Sequence, residues 1–65
     1  MNCKELLEVL HGTTFAVICK DGGGLIAKAC VWNLNPESFE EWEVTEILMG
    51  CDGEYGLPSL EILVK

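Results

Sequence analysis

Four residues, Asp21-Gly22-Gly23-Gly24, constrain this chain more than any others. Consecutive glycines reach positive φ at little steric cost, which is what a short hairpin turn requires. The runs on either side, Thr13–Lys20 and Leu25–Asn33, are rich in aliphatic and β-branched residues and read as its two strands. A tight turn sets Lys20 opposite Leu25 and Phe15 opposite Cys30. Both faces of the first strand are apolar, Phe15 and Val17 on one and Ala16 and Ile18 on the other. The hairpin is therefore expected at the centre of the fold, covered on two sides.

Ahead of it, Asn2 followed three residues later by Glu5 is a capping box opening a short helix. Leu6, Leu7 and Leu10 form its apolar stripe. His11 falls in the expected last turn and Gly12 is the expected stop. After the hairpin, Asn35-Pro36-Glu37 reads as the cap and first turn of a short second helix, with Phe39 and Trp42 on one side and Glu37, Glu40 and Glu41 on the other. Trp42–Met49 then favours a strand through Val44, Thr45 and Ile47, although its alternation slips near Glu46. A longer helix stopped by Gly50 is the competing reading. Gly50–Pro58, with three glycines, Asp52 and a proline, reads as a loop. Ser59–Val64 alternates Leu60, Ile62 and Val64 with Glu61 and Leu63, as a closing strand does. The order α-β-β-α-β-β predicts one α+β domain over residues 1–65, with a mostly antiparallel sheet of three to four strands.

A core drawn from 65 residues rarely supplies more than ~3–5 kcal/mol, so a metal, a second copy or a partner would add useful support. Disorder is not expected. The chain is 49% hydrophobic, whereas disordered segments combine charge with low hydrophobicity. No export signal or membrane-spanning run is evident, which points to the cytosol, where cysteines stay thiols or bind metal.

Charge is distributed unevenly. Residues 1–28 balance Glu5, Glu8 and Asp21 with Lys4, Lys20 and Lys28. The entire net charge of −7 arises beyond them, from Glu37, Glu40, Glu41, Glu43, Glu46, Asp52, Glu54 and Glu61 against Lys65 alone. Such a surface repels anions and nucleic acid and attracts basic surfaces over about one Debye length, ~8 Å at physiological salt. One reading is a solvated face that keeps an apolar mini-domain soluble. The other is a set of carboxylates that occupies a groove built for phosphates, with Trp42 and Tyr55 as apolar anchors. The absence of interspersed cations between residues 29 and 64 favours the second, because ordinary surfaces mix signs.

Cys3, Cys19, Cys30 and Cys51 equal the ligand count of a structural zinc site, yet they form no CxxC pair. With a tight turn, Cys19 and Cys30 lie roughly 13 Å apart along the hairpin. The competing reading makes them small buried hydrophobes. Cys3, at a helix N-terminus, is expected to be the most acidic thiol. Asp52-Gly53-Glu54 lacks the ligand spacing of a calcium loop. The lone His11 has no identifiable nucleophile or carboxylate partner, so an enzyme is not expected.

A very short acidic chain that opens on an amphipathic helix (Met1-Asn2-Cys3-Lys4-Glu5-Leu6-Leu7), runs into antiparallel strands and crowds its acids later resembles the small phage-encoded anti-CRISPR proteins of the type II class. The resemblance implies a protein that binds an RNA-guided nuclease in the bacterial host cell, on a surface meant for DNA. It lies in size, charge and architecture, and assigns no role to any single residue. The expectation is an acidic inhibitor docking on a basic nucleic-acid-binding surface through Glu37, Glu40, Glu41, Trp42, Glu43, Glu46, Asp52, Glu54 and Tyr55. The alternative is a structural or assembly module, zinc-stapled through the four cysteines or dimeric, whose acids serve solubility.

Overall fold

A computed structural model describes residues 1–52 and 57–65, apart from the side chains of 51, 52 and 57. Helix α1 spans Cys3–Val9 and the strands are β1 (Phe15–Lys20), β2 (Leu25–Cys30), β3 (Val44–Asp52) and β4 (Leu57–Val64). They form one four-stranded sheet in the order β2-β1-β4-β3. The α+β class expected from the sequence is the one observed.

Local chemistry accounts for the ends of α1. The Asn2 side chain accepts from the Glu5 amide at 2.8 Å, and the Glu5 carboxylate accepts from the Asn2 amide at 3.2 Å. Each residue thus satisfies a donor that the first turn leaves without an intrahelical partner. The helix ends at Val9, capped by Leu10, short of the end expected at His11 and Gly12, so His11 lies beyond it. There the Thr13 amide donates to His11 Nδ1 at 3.2 Å, and the Thr13 hydroxyl lies 2.7 Å from the same nitrogen.

The hairpin turns where the glycines stand, with φ of 99°, 122° and 105° at Gly22, Gly23 and Gly24. Phe15 does face Cys30, but an irregularity after Ile18 sets Cys19, rather than Lys20, opposite Leu25. The Lys20 amide closes the loop on the Gly24 carbonyl at 2.8 Å. Among the described residues the hairpin is covered on one side rather than two: β2 is an outer strand, and the helical layer lies over one face of the sheet.

The second helix is a 3-10 turn, Pro36–Phe39, and β2 stops at Cys30, so that Val31–Asn33, expected to end that strand, forms a 3-10 turn as well. Asn35 caps the Pro36–Phe39 turn as expected, accepting from the Glu37 amide at 3.1 Å, but the turn does not propagate past Glu40. Residues 31–43 carry the chain from β2 at one edge of the sheet to β3 at the other. β4 then returns antiparallel to β3 and enters the gap beside β1, which makes the β1–β4 pair parallel. The sheet is accordingly mixed rather than wholly antiparallel. The strand reading of 44–49 holds, and the slip near Glu46 is a register shift between Val44 and Glu46, where the Thr45 hydroxyl donates to the Leu63 carbonyl at 3.2 Å. The described ends of the segment read as a loop, 50–52 and 57–58, are strand, since β3 runs on to Asp52 and β4 begins at Leu57.

The core lies between the sheet and the helical layer. Ala16, Ile18, Ile62 and Val64 from the two inner strands meet Cys3, Leu6 and Leu7 of α1 together with Val31 and Phe39. The opposite face, carrying Phe15, Val17, Cys19, Glu61 and Leu63, has no layer over it among the described residues. No helix among those residues is long and apolar enough to cross a membrane.

Candidate functional site

The carboxylates expected to act together lie along one continuous stretch, from the 3-10 turn at Pro36 into the first half of β3. Glu37, Glu40, Glu41, Glu43 and Glu46 are all exposed. Two of them meet cations from the N-terminal segment. Lys4 Nζ is 3.8 Å from Glu37, and the Met1 ammonium is 3.2 Å from Glu43. Exposed pairs of this kind contribute ~0–1 kcal/mol, so they anchor little while cancelling two charges locally. Glu40, Glu41 and Glu46 make no ion pair among the described residues.

Main-chain contacts hold this stretch in place. The Cys3 amide donates to the Trp42 carbonyl at 2.8 Å, the Val44 amide to the Met1 carbonyl at 3.1 Å, and Glu43 and Lys65 exchange bonds of 2.8 and 3.3 Å. The acids are nevertheless not coplanar. Glu37 belongs to the turn packed against α1, on the helical side of the sheet. Glu46 pairs with Leu63, and its diagonal neighbour Glu61 pairs with Leu48, on the uncovered side. The negative charge therefore wraps around the start of β3. The bulge at Thr45 makes this division, because one extra residue sends the next side chain to the other face.

Trp42 is half-buried against the core, so its anchoring is largely internal. Trp32 stands 69% exposed on the opposite edge. Glu54 and Tyr55 lie outside the described residues, as does the side chain of Asp52.

Cys3, Cys19 and Cys30 do not gather: Cys3 is fully buried in the first turn of α1, and Cys19 and Cys30 occupy opposite ends of the hairpin. Among the described residues no three His, Cys, Asp or Glu side chains converge as metal ligands, and the Cys51 side chain is not among them. The Cys3 thiol is pushed up from its ordinary pKa by burial. This reverses the sequence expectation: loss of hydration outweighs the attraction of the short helix for a thiolate.

At the end of the sheet a cavity of about 450 Å³ is lined by Leu10, Phe15, Cys30, Met49, Ser59 and Leu60, among others. Among the described residues no carboxylate, histidine or lysine borders it, and the surface they offer is largely apolar. No family model, no curated protein and no solved structure matches the chain.

Proposed function

We propose that the protein is a small acidic binding inhibitor that docks on a basic, nucleic-acid-binding surface of another protein and competes there with phosphate. The observation that carries this reading is the set Glu40, Glu41 and Glu46, exposed and free of ion pairs among the described residues, on a molecule of net charge −7. Carboxylates so placed pair with the Lys and Arg that otherwise hold phosphates. Complementary charge speeds encounter, and apolar contacts then hold the complex. The resemblance in size and architecture directs the search to RNA-guided nucleases first.

The test is displacement of DNA from such a nuclease–guide complex across a salt series. The native chain should displace DNA at low salt and lose potency as salt rises. Replacing Glu40→Lys and Glu41→Lys together should slow association about tenfold at low salt, with the difference shrinking as screening grows. Equal displacement by the native and charge-reversed chains would overturn the reading.

A further inference from the structure

We infer that the outer edge of β3 is a strand-addition site for an extended segment that alternates basic and apolar residues, supplied by the basic partner proposed above and therefore resting on that reading. β3 is nine residues long and closes one side of the sheet. Its inner side is paired with β4 from Val44 to Asp52. Among the described residues its outer side is occupied only at the start, where Met1 accepts from the Val44 amide and Asn2 bridges Glu43. From Ile47 onward no described residue pairs with that side.

Outer strands normally carry a device that deters pairing, such as a lysine, a proline, a bulge or short length. β2, the other outer strand, is six residues long and carries Lys28. β3 has its bulge before Glu46 and neither lysine nor proline anywhere along it. Beyond the bulge it presents regular backbone with three consecutive exposed apolar residues, Ile47, Leu48 and Met49. A row of unpaired amides and carbonyls beside apolar side chains is the surface that an added strand uses.

The side chains then select the occupant. Ile47 and Met49 pair with Ile62 and Leu60 and point to the helical side of the sheet, where Met49 also borders the apolar cavity. An added strand meets apolar surface there. On the other side Leu48 stands between Glu46 and Glu61, and neither β3 nor β4 contains a lysine or arginine. Lys28, on that face, lies on the other outer strand, three strands from β3. The added strand therefore finds carboxylates on alternate positions, which calls for basic residues facing them. A second copy of this chain fits poorly, since it brings a further charge of −7 and its own Glu46.

The experiment titrates the full chain with a capped heptapeptide of alternating lysine and valine, followed by two-dimensional amide NMR with hydrogen exchange. Controls are the glutamate–valine peptide and the lysine–valine peptide with its central valine replaced by proline. The expected result is saturable slowing of amide exchange within residues 46–50, absent with both controls and weakened about tenfold by Met49→Lys. Met49 is 80% exposed, so that substitution leaves the core intact. Equal binding of the glutamate–valine peptide, protection at β2 instead, or a concentration-dependent dimer using the same amides would each overturn the inference. The two readings fail separately: the peptide probes β3 without any partner protein, whereas reversal of Glu40 and Glu41 probes the charge without touching β3.

Discussion

Replacing Ile18→Val tests whether the parallel β1–β4 pair is the centre of this fold. Ile18 and its β4 neighbour Ile62 are both fully buried, and Ile18 also faces Ala27 across β2. Removing one buried methylene should cost ~0.5–1.5 kcal/mol, and Ile18→Ala ~2–5 kcal/mol. A core of this size rarely supplies more than ~3–5 kcal/mol, so the alanine variant approaches loss of the fold while the valine variant stays measurable. With a urea dependence of about 1 kcal/mol/M, Ile18→Val should lower the unfolding midpoint by about 1 M. Trp42, half-buried against the core, provides the fluorescence signal. The matched control is Ile47→Val. Ile47 sits across from the same Ile62 but on the outer strand at 44% exposure, so its substitution should cost no more than about 0.5 kcal/mol. Equal losses at positions 18 and 47 would refute the placement of β4 between β1 and β3.

Asn2→Ala removes the acceptor for the Glu5 amide and should destabilise the protein by ~0.5–2 kcal/mol, read as a fall of several degrees in Tm; Asn2→Ser should retain most of the stability. The buried Cys3 thiol has a folded pKa above its unfolded one. The stability it confers is thus complete below the ordinary thiol pKa and is lost as pH rises through that value towards the folded one. Thermal unfolding of the native chain should show this alkaline loss, and Cys3→Ala should abolish that component. An alkaline profile identical in the two proteins would contradict the burial.

What the sequence could reveal was set by the range of the interactions. The Asn2–Glu5 box, the Asn35 cap and the glycine turn each act within a few residues, and each is observed. The slip near Glu46 was visible as a break in alternation and corresponds to the Thr45 bulge. The position of β4 was not legible, because whether it lies beside β1 or outside β3 depends on where residues 31–43 carry the chain. Glycine and proline content made 50–58 look like a loop, yet pairing with a neighbouring strand supports Gly50 and Pro58 near strand ends, where such residues are tolerated. For the site, exposure of the acids could be read from composition. Their division between the two faces of the sheet could not, since it depends on the bulge. The expectation for Cys3 fails for a related reason: the helix end is local information and the burial is not.

The charge and the open edge of β3 make physical sense together. An outer strand with regular backbone and adjacent Ile47, Leu48 and Met49 is a template for self-pairing, and a small domain has little stability to resist it. Lysines on the strand would block that association, but they would block every other strand as well. Carboxylates around the edge act selectively. Two copies repel each other through Glu46, Glu61 and the remaining net charge, while a basic segment is drawn in by the same groups. Acids placed only for solubility would have no reason to leave β3 bare of lysine and proline while β2 carries Lys28. The contrast between the two outer strands, more than the number of acids, is what favours a dedicated basic partner over a merely solvated surface.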